Sequence, residues 1–96
     1  MVFEYSYEKN ELLKRTRNIS FETVVVLVLE NKIIDIIENP NRENQYMYVF
    51  RYHNLIHVCP FVVDSDKVFL KAIFPNRKLA KLYEINEEDK NYEDKV

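Results

Sequence analysis

The sequence predicts an α+β domain: two N-terminal helices packed on a four- or five-stranded antiparallel sheet, with one helix after it. Three features carry that expectation. Apolar and aromatic residues recur at period two through Tyr46, Tyr48, Phe50 and Tyr52, then Leu55, His57, Cys59 and Phe61, then Val68, Leu70, Ala72 and Phe74, which is the alternation of strands. The two-residue polar links His53-Asn54 and Ser65-Asp66 separate these runs, and Asn and Asp tolerate the positive φ that short hairpin turns demand. Helix-start signals at Ser6 and Ser20 precede this meander, and a basic segment after Pro75 follows it.

Ninety-six residues, 47% of them hydrophobic, build one core rather than two. Residues 1–85 therefore read as a single domain and 86–96 as an acidic, flexible tail. One cysteine excludes an internal disulfide framework, and no stretch reads as a signal peptide or as a membrane span of roughly 20 apolar residues. The expected location is the cytoplasm. The chain has no glycine, so Asn, Asp, Ser and Pro must make its turns and helix stops. The net charge is −2, but six acids and two lysines lie from Glu84 onward, which leaves the preceding body at +2. Between Asp66 and Glu84 there is no acid, while Lys67, Lys71, Arg77, Lys78 and Lys81 occur. A local basic patch is thus compatible with an acidic whole.

Met1 to Ser6 reads as a short edge strand through Val2, Phe3 and Tyr5. Ser6 caps a helix from Tyr7 to about Arg17, with Glu8 in its first turn and Lys14, Arg15 and Arg17 in its last, as the helix dipole favours. Asn18 is a left-handed stop, Ile19 can staple onto Val24, and Ser20 caps the next helix with Glu22 behind it. The β-branched run Val24 to Leu29 favours a strand by propensity. The cap decides for a helix, ended by Asn31, and its apolar circumference predicts full burial against the sheet. Ile33 to Glu38 reads as a short strand closed by Asn39-Pro40-Asn41, with Arg42, Glu43 and Asn44 continuing a polar loop. The last helix starts after Pro75, with Asn76 as cap, and runs to about Ile85.

With two-residue turns, Phe50 falls opposite His57 and His57 opposite Phe74, and Cys59 lies between Tyr48 and Ala72. Pro60 interrupts the central strand, where its missing N–H breaks a ladder bond, so a bulge near Cys59-Pro60 is expected to flip the facing beyond it. Both sheet faces are apolar, so helix two is expected on one and the last helix on part of the other.

His57 is either a general acid or base, its ordinary pKa lying near neutrality, or a histidine packed between phenylalanines. His53 is either a solvated turn residue or an RNA contact. Two histidines without further ligands at a telling spacing make no metal site, and no cofactor is expected. Cys59 reads as a small core residue. Tyr46, Tyr48 and Tyr52 are core, interface or base-stacking residues. Arg51, Lys71, Arg77, Lys78 and Lys81 suit phosphate oxygens and the charge of phosphoryl transfer.

The early Phe3 strand, the charged helix, Asn18-Ile19-Ser20-Phe21-Glu22 opening a second helix, the meander, and Arg77 and Lys78 opening the last helix together resemble the BrnT family over about residues 2 to 83. These are small bacterial ribonuclease toxins of type II toxin–antitoxin systems, with a fold like the RelE toxins. The resemblance implies metal-independent RNA cleavage and neutralisation by an antitoxin carrying a ribbon-helix-helix DNA-binding segment. By position, Arg77 matches the arginine after the family's last strand, and Arg51 lies in a strand where the family has a basic residue. Pro75-Asn76 stands where the family has a small Ser-Ala-type pair, and Tyr5 where it has Trp. The implied site comprises Arg51, Arg77 and His57 as catalytic residues, with Lys71, Lys78, Lys81 and His53 holding RNA. An antitoxin segment would cover the Lys71, Arg77 and Lys81 patch. The competing reading is a non-catalytic interaction domain whose basic last helix docks an acidic partner segment or nucleic acid.

Overall fold

The computed structural model describes residues 1–83. The tail expected over 86–96, and the end of the last helix near Ile85, lie outside them. The element order is β1 (Val2–Tyr5), α1 (Tyr7–Arg17), α2 (Phe21–Leu29), β2 (Asp35–Glu38), β3 (Tyr46–Tyr52), β4 (Leu55–Asp64), β5 (Lys67–Leu70) and β6 (Phe74–Pro75). A last helix, α3, follows at 77–83.

Both N-terminal helices start where their caps direct. Ser6 Oγ accepts the Lys9 N–H, and Ser20 Oγ accepts the Thr23 N–H. Each such cap stabilises by about 1 kcal/mol. Asn18 stops α1 with φ 53°, and Asn31 follows α2 at φ 58°. The run from Val24 to Leu29 is helical, as the cap requires and against its propensity. Its burial differs from expectation. Phe21 and Val24 are buried, but Val26 and Leu29 are 49% and 72% exposed, because a single sheet can cover only one side of a helix.

The sheet has six strands and is mixed, which corrects the expectation of four or five antiparallel strands. Its order is β1-β5-β4-β3-β2, with β6 also paired to β4. Pairing of β1 with β5 is parallel, from Val2 opposite Lys67 to Tyr5 opposite Leu70. The parallel sense follows from connectivity: β1 leaves one end of the sheet into α1 and α2, and the chain returns to that edge only after the meander. In the β3–β4 turn, His53 and Asn54 both have positive φ, the type I′ geometry. In the β4–β5 turn Ser65 takes the positive φ.

Phe50 pairs with His57 and Tyr48 with Cys59, as the alternation requires. The register then shifts by one. Phe61 pairs with Leu70, whereas Val58 pairs with Phe74 and His57 with Pro75 rather than Phe74. Cys59 and Pro60 are thus spanned by Lys71, Ala72 and Ile73, so the extra residue lies on the strand facing Pro60 and not in β4. Pro60 O accepts the Lys71 N–H, and a residue's N–H and C=O point to the same side of a strand. The absent proline N–H therefore points at this bulge, where no ladder acceptor is needed. Beyond it the facing is inverted. Ile73 joins the helix-side core and Phe74 shares the other face with Val58.

Two cores result. On one face Tyr48, Phe50, Cys59, Phe61, Val68 and Leu70 pack with Ile19, Phe21 and Val24 of the α1–α2 unit. On the other, Met47, Val49, Ile56 and Val58 are covered by Leu79, Ala80 and Tyr83 of α3. Among the described residues, no helix is long and apolar enough to cross a membrane.

Candidate nucleic-acid interface

The register separates the residues the sequence groups as one site. Arg51 pairs with Ile56 and shares the α3-covered face with it. His57, one residue on, projects from the opposite face among the helix-side aromatics. Its ring stacks on Phe50 at 5.8 Å and meets Tyr52 edge-on at 5.8 Å, and its Nδ1–H donates to Leu55 O at 3.0 Å. His53 sits in the exposed hairpin turn, 4.2 Å from the Tyr52 ring, and Tyr52 in turn donates to Asn18 O at 2.8 Å. Both histidines thus belong to an aromatic cluster at the α1–α2 link. The register thus sets His57 and Arg51 on opposite faces of the sheet.

Asn76 ties the strand row of Arg51 to the start of α3. Asn76 N donates to Ile56 O at 3.0 Å, which extends β6 by one residue and sets Arg51, Ile56 and Asn76 in one row across the sheet. Asn76 Oδ1 caps α3 through the Leu79 N–H at 3.0 Å, so Arg77 begins the helix from that row. Arg77, Lys78 and Lys81 are exposed on α3. Leu79, Ala80 and Tyr83 face the sheet, and Tyr83 OH donates to Asp35 Oδ2 at 3.1 Å. Burial and the Asp35 carboxylate push the Tyr83 hydroxyl above its ordinary pKa.

Beside α3, on the same face, lies a groove of about 650 Å³. Its floor includes Met47 and Pro60, which pair across β3 and β4. One rim is the bulge, with Lys71, Ala72 and Phe74, joined by Lys9 of α1, whose Nζ donates to Lys71 O at 3.0 Å. Lys71 Nζ also lies 4.8 Å from the Phe69 ring centre. The other rim is the 39–45 loop. Asn39 N bonds Gln45 O at 2.9 Å, the Asn39 and Gln45 side chains bond at 3.3 Å, and Asn41 N bonds Asn39 Oδ1 at 3.0 Å. That loop places Asn39, Asn41, Arg42 and Gln45 on the groove. Among the described residues the lining carries three cations, Lys9, Arg42 and Lys71, and no acid. Glu38 and Glu43 line an adjoining concavity of about 710 Å³ that shares Asn39, Pro40, Asn41, Arg42 and Gln45 with the groove. A lining of cations and amides above an apolar floor suits an anionic ligand with flat apolar parts.

Of the candidate bases named from the sequence, Lys71 lines this groove, and Lys9, Arg42, Phe74 and the loop amides join it there without having been singled out. Lys9 reads as one more base on a charged helix, and Asn39-Pro40-Asn41 as a turn. No spacing in the sequence joins them to Lys71. Asn10 was also missed. It is 2% exposed, with Nδ2 donating to both Glu22 carboxylate oxygens at 2.9 and 2.8 Å and Oδ1 accepting the Phe21 N–H at 2.7 Å. These bonds, led by the one from Asn10, hold the Glu22 carboxyl down to about 2. An Asn inside a helix, where its propensity is poor, is the available signal. Cys59 is fully buried, and that burial pushes its thiol up to about 12, which makes it core and not nucleophile.

Among the described residues no three His, Cys, Asp or Glu side chains gather as metal ligands. No family model matches the chain, and no curated protein or solved structure matches it either. The resemblance to the BrnT family therefore rests on the sequence motifs alone.

Proposed function

We propose that this chain is the RNA-cleaving toxin of a two-component toxin–antitoxin pair, with a RelE-like arrangement of its helices and sheet, acting in the cytoplasm on RNA bound across the α3 face. The observation that carries this reading is the basic groove whose lining reaches Asn76, in the row that holds Arg51 and immediately before Arg77 opens α3. The chemistry is attack of a ribose 2′-OH on its own 3′-phosphate. The 2′-O–P bond forms, the P–O5′ bond breaks, and a 2′,3′-cyclic phosphate and a 5′-hydroxyl result. Arg51 and Arg77 stabilise the negative charge of the phosphorane, and Lys71, Lys78 and Lys81 hold the strand. With His57 on the opposite sheet face from Arg51, the 2′-OH proton passes to water and the leaving O5′ takes a proton from water. A ribbon-helix-helix antitoxin would silence the chain by laying an acidic segment over the Lys71, Arg77 and Lys81 surface, excluding RNA by occupying the same cations.

Purified chain free of any partner should cleave RNA in the presence of EDTA, and Arg77→Ala should slow that cleavage by roughly 10- to 1000-fold through loss of one charge contact. Unchanged cleavage in that variant removes Arg77 from the mechanism. The opposite facing of His57 and Arg51 favours a second reading, an RNA-binding module without chemistry. RNA retained intact by the purified chain, with no growth arrest on expressing it alone, would select that reading.

A further inference from the structure

We infer that the groove selects single-stranded over duplex RNA, and that Phe74 is its base-stacking residue. This rests on the RNA reading of the same face. The groove is two surfaces in one. Its rims carry Lys9, Lys71 and Arg42, which answer phosphates of any nucleic acid. It also holds apolar side chains, Met47 and Pro60 on the floor and Phe74 on one rim, which a duplex cannot stack on, because its base faces are buried in the helix and only base edges, sugars and phosphates are exposed. A single strand can turn a base inward and cover that apolar surface while its phosphates stay on the rims. The volume, about 650 Å³, falls within the roughly 300–1,000 Å³ of small-ligand pockets, the scale of one or two nucleotides.

Phe74 is the residue suited to stacking. The bulge turns it onto the groove face, opposite Val58. Yet it remains 37% exposed, while Phe50 and Phe61 in the helix-side core are 0% and 5% exposed. An aromatic ring left open to solvent between cations is the arrangement that single-strand binders use, and it is tolerant of base identity because every base has a π-face. The loop amides of Asn39, Asn41 and Gln45 carry donor and acceptor atoms together, as base edges do.

The test is fluorescence anisotropy of the purified full chain with labelled 2′-O-methyl RNA, which lacks the attacking hydroxyl and so separates binding from cleavage. Three probes suffice: a 12-nucleotide oligouridylate, an abasic strand of equal length and charge, and a 12-base-pair duplex. The wild-type chain should bind the oligouridylate more tightly than the other two. Phe74→Leu should weaken oligouridylate binding by roughly 5- to 150-fold, the worth of one stacked base, and leave duplex binding unchanged, while Phe74→Tyr should restore it. The abasic comparison needs no variant and stands even if Phe74→Leu folds poorly. Equal binding of oligouridylate and abasic strand, or oligouridylate binding indifferent to Phe74→Leu, overturns the inference and leaves RNA binding intact. No binding of any probe overturns the RNA reading itself.

Discussion

Asn10 shows how one buried amide joins two helices. Ser20 satisfies the Thr23 N–H of α2, but the Phe21 N–H, one of the donors every helix start leaves without an intrahelical partner, is answered from α1 by Asn10 Oδ1. The same side chain holds the Glu22 carboxylate with its two N–H groups. Asn10→Ala would leave a buried N–H unpaired and release that carboxylate, so we predict a loss of about 2–3 kcal/mol in denaturant unfolding. Glu22 gives a pH signature. Its folded pKa is depressed to about 2 from an ordinary 4.5, so its stabilisation is complete above about 4.5 and disappears as the pH falls toward 2. The carboxylate is half exposed, and solvent screening limits the size of the effect. Thermal melts should show the wild type losing more stability than Glu22→Gln across that window. Parallel acid curves for the two proteins would remove Glu22 from the linkage.

At the scale of elements, the parts written in local code were legible in the sequence. Ser6, Asn18 and Ser20 mark helix ends because caps act within a few residues, and they outweighed the β-branched run in α2. The two-residue links fixed the β3–β4 register through His53 and Asn54, both at positive φ. Asn54→Val should therefore cost about 1–2 kcal/mol, since a β-branched residue is held in the left-handed region at that expense, and the loss should be visible as a lower denaturant midpoint with an unchanged slope. The bulge was only half legible. Pro60 announces a missing ladder bond, but nothing local says which strand carries the extra residue, and that choice decides whether Phe74 or Ile73 meets the helix-side core. The parallel edge was not legible at all, because the pairing of Val2 with Lys67 depends on which edge remains open once the meander has formed.

At the scale of the whole molecule, folding sorts charge that the sequence merely mixes. A chain of net charge −2 presents a groove whose described lining holds Lys9, Arg42 and Lys71 and no acid, with Glu38 and Glu43 in the adjoining concavity. The groove's legibility failed for that reason: its three cations come from a helix, a loop and a bulge that only the tertiary fold assembles. If those cations meet phosphates, log affinity for single-stranded RNA should fall linearly with log salt, and Lys71→Ala or Arg42→Ala should each flatten the slope by about 0.7. Lys32→Ala, which removes a cation paired with Glu30 outside the groove, should leave the slope unchanged. The parallel β1–β5 edge also bears on the protein's birth. Val2 must wait for Lys67 to be synthesised before it has a neighbour, a delay of roughly 3–13 s at 5–20 residues per second. Throughout that interval Phe3 and Tyr5 lack the strand they will lie beside, and the groove lacks its Lys71 rim. The nascent chain therefore cannot assemble its basic face until Lys71 and the strand before it have been made, so the order in which the strands are spelled sets when that surface first exists.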